Sequence, residues 1–179
     1  MRIRLENLGK EHVDVATSYN DLGVIHRRLG YFEQAKEFHQ RALGIRLKKL
    51  GDEHVDVATT YNDLGELQRQ LGDFKQAKEY YELALGIRLE KLGDEHVDVA
   101  TSYNNLGVIH RQLGHFEQAK EFHQRALEIL VKKLGDKHVD VATTQIDLGL
   151  IYRQLGDFEQ AEEHHECTLA SHEKLDGEH

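Results

Sequence analysis

The polar residues of this chain that can grip another molecule recur on a fixed interval. Asn20, Asn62 and Asn104 stand 42 positions apart, as do Arg27, Arg69, Arg111 and Arg153. A carboxamide both donates and accepts, so a ladder of them can hydrogen-bond an extended backbone whatever its side chains. A guanidinium presents a planar fork of donors that matches a carboxylate. For bond-making chemistry the inventory is short. There is no Gly-x-Ser-x-Gly and no His-Glu-x-x-His, and nothing near Cys167, the only cysteine, marks an activated thiolate. His164 and Cys167 lie one helical turn apart and could hold a soft ion, but two converging ligands fall short of the four a structural zinc takes. No catalytic residue, metal or cofactor is expected.

The interval itself says what must position these groups. Gly9, Gly51, Gly93 and Gly135 fall in register, as do His12, His54, His96 and His138, so one unit is copied four times at 42 residues. Within the first copy Val15, Tyr19, Leu22, Ile25, His26 and Leu29 recur at three- and four-residue steps, which predicts an amphipathic helix A over 13–29. Leu29-Gly30 closes it. Phe32, Ala35, Phe38, His39, Ala42, Leu43 and Ile45 then predict a helix B ending at Gly51. Later copies place helix A near 56–71, 98–113 and 140–155, and helix B near 74–92, 116–134 and 158–174. The repeats run 10–51, 52–93, 94–135 and 136–179, and 1–9 reads as the end of a preceding helix B or linker.

Punctuation follows the same register. Proline is absent, so glycine must stop every helix. Asp73 with Gln76, and Asp157 with Gln160, have the spacing of a capping box; Tyr31 and His115 stand there in the other copies. The His12 series is expected to cap or pack helix A. Gly23, Gly65, Gly107 and Gly149 sit inside helix A at a cost of about 1 kcal/mol each relative to alanine, so close helix approach is the expected compensation. Ala35, Ala77, Ala119 and Ala161 offer the matching shallow surface.

Composition sets outer bounds. A formal charge of −9 argues against broad binding to nucleic acid or anionic lipid, both of which need a basic face. No apolar run approaches a membrane span, and a lone cysteine suits a reducing, cytoplasmic setting. Thirteen histidines would turn −9 into +4 if all were protonated, which predicts pH-dependent behaviour between about pH 5 and 7.

Tyr19, Leu22, Gly23, Gly30, Phe32, Ala35 and Ala42, with their counterparts, resemble the tetratricopeptide repeat pattern. The long period and the linker Leu50-Gly51-Asp52-Glu53-His54-Val55-Asp56-Val57-Ala58 are similar to those of kinesin light chains and nephrocystin-3-like proteins. Valine at 13, 55, 97 and 139 departs from that group, whose linker carries proline there. His39, His123 and His165 depart from a position that is usually apolar and aromatic. The resemblance implies an all-α class, an α-solenoid of four tandem helical hairpins in a right-handed superhelix. It also implies that helices A line the concave face and that the protein is a non-enzymatic interaction scaffold.

Carried over residue by residue, that face holds Thr17, Asn20, Val24 and Arg27, then Thr59, Asn62, Glu66 and Arg69. The third copy gives Thr101, Asn104, Val108 and Arg111, and the fourth gives Thr143, Ile146, Leu150 and Arg153. The spacing within each set independently puts its members on one helical stripe. Packed helices lie about 8–10 Å apart, close to three residues of extended chain, so one asparagine rung per three ligand residues is reasonable geometry. An extended, partly acidic peptide is the ligand class that fits. Copying weakens the ladder argument, because residues 14–47 and 98–131 differ at only six of 34 positions. The inward amides have an equally good structural reading, in which they bond a neighbouring helix. The alternative function is a structural module that stacks head-to-tail into weak homo-oligomers through uncapped ends.

Overall fold

The period-3.6 patterning resolves into eight helices, and no strand occurs among the described residues. In the computed structural model these residues are 11–176, with side chains described through Leu169. The helices pair in chain order: α1 (Val13–Arg28) with α2 (Phe32–Leu50), and α3 (Val55–Leu71) with α4 (Phe74–Leu92). Then come α5 (Val97–Gln112) with α6 (Phe116–Leu134), and α7 (Val139–Leu155) with α8 (Phe158–Asp176). The expected helix at 1–9 lies outside the described residues. The chain divides into two compact units, Met1–Lys91 and Leu92–His179, so each unit contains two hairpins.

The helix starts explain the recurrent histidine. His12, His54, His96 and His138 are the N-caps of α1, α3, α5 and α7. In each, Nδ1 accepts from the backbone amide two residues on, at 3.1–3.2 Å. An unprotonated imidazole nitrogen thus does what a serine or aspartate oxygen usually does. Asp73 and Asp157 make half of the expected capping box, accepting from the Gln76 and Gln160 amides at 3.1 and 3.2 Å. The return bond is not formed, because the Asp73 and Asp157 amides are already bonded to the carbonyls of Gln68 and Tyr152 as the preceding helix closes. Tyr31 and His115 make no side-chain cap.

The interior glycines do mark close approach, but the matching surface is not the alanine expected from sequence. A methyl group on Gly23, Gly65, Gly107 or Gly149 would lie 2.5–2.8 Å from the ring of His39, Tyr81, His123 or His165 respectively. Each glycine is the floor of a slot for one ring on the second helix of its hairpin. Ala35, Ala77 and Ala119 are fully buried beside it, one turn earlier on that helix. The stripe expected along the first helix also needs correcting at its end, since Ile25 and Leu29 are 50% and 62% exposed. The same position in the second hairpin, Leu67, is fully buried.

Candidate interaction surface

In the first unit the polar stripe turns partly inward. Asn20 is 6% exposed, and both ends of its amide are engaged. Nδ2 donates to Asp63 Oδ2 at 2.6 Å, while Oδ1 lies 3.0 Å from His39 Nδ1. Because the amide nitrogen faces a carboxylate, Oδ1 must face the ring, and His39 must carry its proton on Nδ1. His39 Nε2 is then a buried lone pair without a partner, in a ring pressed against Gly23. Burial, with the nearby Arg27 and Arg46 charges, lowers the His39 pKa to about 4. Burial raises that of Asp63 from its ordinary value, against the pull of Asn20 and three arginines.

Glu66 organises the rest of that face. Its carboxylate accepts from Arg69 Nε and Nη2 at 2.8 and 2.7 Å, from Gln70 Nε2 at 2.9 Å and from Tyr81 Oη at 3.2 Å. Arg27 reaches it from α1 at 3.4 Å. Burial pushes the Glu66 pKa up, but the bonds and charges of Arg69, Gln70 and Arg27 outweigh it and hold the group below its ordinary value. Burial and the Glu66 charge together raise the Tyr81 hydroxyl far above its usual range. Arg27, Glu66 and Arg69 are thus brought together as one ion cluster. Asn62 lies half-buried on the same helix.

The second unit keeps the plan and changes the partners. Asn104 Oδ1 lies 2.9 Å from His123 Nδ1, as in the first unit, but Nδ2 donates to Thr144 Oγ1 at 2.8 Å. The switch traces to one substitution. In the first unit Arg46 is buried and donates to Thr60 Oγ1 at 2.6 Å and to the Asp56 carbonyl at 2.9 Å, so its guanidinium stands at one acceptor site of the threonine. The matching residue in the third repeat is Leu130, so Thr144 is left to accept from Asn104. Burial lowers the His123 pKa to about 4, with Arg111 adding to it, and raises that of Asp147 despite Arg111.

The apolar members of the stripe here are Val108 and Leu150, both half-buried, and Ile146, which is 40% exposed. Arg111 comes only to 3.9 Å from Asp147, and its Nε is buried without a hydrogen-bond partner. Arg153 is exposed and makes no ion pair among the described residues. The recurrent threonines are not free hydroxyls: Thr17, Thr59, Thr101 and Thr143 each donate to the carbonyl four residues back at 2.9–3.3 Å. No cluster of three or more histidine, cysteine or acidic side chains suited to a metal occurs among the described residues.

The residues that decide these faces, the rings at 39, 81, 123 and 165 and the arginine at 46, stand on second helices. They were legible only as departures within the repeat. Glu66 stands where Val24, Val108 and Leu150 stand, and Tyr81 stands where His39, His123 and His165 stand. The two exceptions fall in the same hairpin and touch each other.

A family model for the tetratricopeptide repeat matches residues 1–48, 14–90, 56–130 and 98–174. The chain belongs to the tetratricopeptide repeat family. Its fold is an all-α solenoid of tandem helical hairpins. The crystal structure of BtubC (BKLC) from P. vanneervenii is similar over 99% of this chain and 71% of that one, at 31% identity and a TM-score of 0.88. A Podosopora anserina protein described as a kinesin light chain with nearly identical TPR-like repeats shares 24% identity over 97% of this chain and 82% of its own, with a TM-score of 0.76. The apo form of RapI shares the fold at 17% identity, over 98% of this chain and 62% of that one, with a TM-score of 0.84. No curated protein matches in sequence. Tetratricopeptide repeat arrays are in general protein-interaction scaffolds, and membership of the family gives this chain a repeat-scaffold role. No described helix is long and apolar enough to cross a membrane.

Proposed function

We propose that this repeat scaffold holds an extended, partly acidic peptide on the α5/α7 face of its second unit. The observation that carries the reading is the difference in charge pairing between the units. Arg27 and Arg69 share the Glu66 carboxylate, whereas the second unit has Val108 and Leu150 at that position. Arg111 is left at 3.9 Å from its nearest carboxylate, whereas Arg27 reaches Glu66 at 3.4 Å; the Nε of each is buried without a partner. An unspent guanidinium donor beside half-exposed Val108, Ile146 and Leu150 suits a ligand that alternates acidic and apolar side chains. Asn20 and Asn104 serve as struts in this arrangement, since their amides bond His39 and Asp63 or His123 and Thr144. The backbone of the ligand is read by other groups.

The test is fluorescence anisotropy with a short labelled peptide of repeated Leu-Asp-Asp units, against a Leu-Asn-Asn control. Arg111→Ala with Arg153→Ala is expected to weaken acidic-peptide binding by about tenfold or more, roughly 1.4 kcal/mol, with helicity unchanged. The affinity should also fall as salt is raised from 0.05 to 0.5 M, because exposed charges at that separation are screened. Equal affinity of the wild type for both peptides would refute an acid-reading surface.

A further inference from the structure

Glu66 is a carboxylate already seated in a two-arginine grip. Three lines of geometry single it out. First, it accepts from Arg69 Nε, Arg69 Nη2, Gln70 Nε2, Tyr81 Oη and Arg27 Nη1, at 2.7–3.4 Å. A carboxylate has about four lone-pair sites, so no acceptor capacity remains on it; the fork of Arg69 is committed to it, and Arg27 adds one Nη1 contact while its Nε stays buried without a partner. Second, it is not sealed in the core. The side chains of Glu66 and Arg69 are 24% and 33% exposed, so the same donors stand at the surface. Third, the seat is specific to one hairpin. The equivalent residues Val24, Val108 and Leu150 have no charge, and Tyr81, whose hydroxyl completes the seat, replaces the histidine of the other three hairpins.

From this we infer that Glu66 determines specificity by standing in for a ligand's carboxylate in the first unit. It fills the anion site that Arg27 and Arg69 would otherwise present and so excludes acidic side chains from the α1/α3 face. An incoming carboxylate must displace an anion held by five donor atoms and then leave that anion half-buried without partners. The inference deepens the reading above, because it confines acidic residues of a bound peptide to the second unit. It also explains why a repeated arginine does not give a repeated site: whether the guanidinium is available depends on the residue three positions before Arg69 and 39 beyond Arg27.

The decisive experiment uses the full chain with the same labelled Leu-Asp-Asp peptide. Arg111→Ala with Arg153→Ala first weakens the second unit's binding by about tenfold or more. Adding Glu66→Val and Tyr81→His, which copies Val108 and His123 of the third repeat, is expected to restore saturable, salt-sensitive binding at least tenfold above that background. Arg27→Ala should abolish it again. No recovery in a variant with wild-type helicity overturns the role of Glu66 while leaving the second-unit reading intact. Should the double change reduce helicity, Glu66→Gln keeps the shape of the seat and removes its charge, and a gain of about threefold is expected; no gain overturns the inference. If the wild type binds no peptide, the second-unit reading fails. A gain on introducing Glu66→Val and Tyr81→His into the otherwise unaltered chain then still supports the role of Glu66.

Discussion

Lowering the pH from 7.5 to 5 should destabilise this protein through two particular histidines. His39 and His123 are fully buried, and each donates from Nδ1 to an asparagine oxygen. Each has a buried Nε2 with no partner, in a ring that lies against an interior glycine. A second proton on either ring would create a buried N–H with no acceptor in reach, beside Arg27 and Arg46 or beside Arg111. Both pKa values accordingly fall from 6.5 to about 4. The sign follows from linkage. The folded pKa is depressed, so below pH 6.5 the unfolded chain binds protons that the folded chain refuses, and stability is lost as pH falls toward 4. At pH 5 the loss is about 2 kcal/mol per ring, on the order of 4 kcal/mol for both. That is a large share of the 5–15 kcal/mol typical of a folded domain. The raised Asp63 and Asp147 oppose it, since a folded carboxyl that protonates early gains stability in acid, while the lowered Glu66 acts in the same direction as the rings. Urea unfolding followed by circular dichroism at pH 7.5, 6 and 5 measures the slope. His39→Phe with His123→Phe should cost about 1–3 kcal/mol at pH 7.5, because two asparagine oxygens lose their donors, yet flatten the slope. Parallel pH profiles for wild type and variant would refute the reasoning, as would imidazole NMR midpoints near 6.5 for either ring. The burial of these rings also narrows the charge swing inferred from thirteen histidines, because not all of them can titrate between pH 5 and 7.

Glycine substitutions should separate packing from propensity. Gly44→Ala meets nothing within 4 Å inside α2 and should stabilise by about 1 kcal/mol, whereas Gly23→Ala strikes the His39 ring at 2.6 Å and should destabilise by roughly 1–3 kcal/mol in thermal melts. Asp73→Ala removes the cap bond to Gln76 and should cost about 0.5–2 kcal/mol, with no change in urea midpoint rejecting the cap. Arg46→Leu, which copies the third repeat, should cost less than about 1 kcal/mol, because a buried charge goes with its bonds. A structure of that variant should show Asn20 donating to Thr60 as Asn104 does to Thr144; a loss of several kcal/mol would contradict the account.

The constant period and the three- and four-residue spacing of apolar residues were enough to place every described helix to within a residue or two at its ends, because helix and repeat are local patterns that the chain carries in order. Glycine stops and the Asp73 and Asp157 caps were legible for the same reason. What a polar residue on the stripe does was not. Asn20 and Asn104 have the same type, register and histidine partner, yet one donates to Asp63 and the other to Thr144. The difference lies in Arg46 against Leu130, on another helix ten or more positions away. Likewise Arg27, Arg69, Arg111 and Arg153 are one residue in one register, and only the packing of α1 against α3 reveals that Glu66 consumes two of them. Hydrogen-bond capacity is finite, and which neighbour claims it first is fixed where helices meet, so the sequence determined the scaffold while tertiary contact decided which of its polar groups remain available to another molecule.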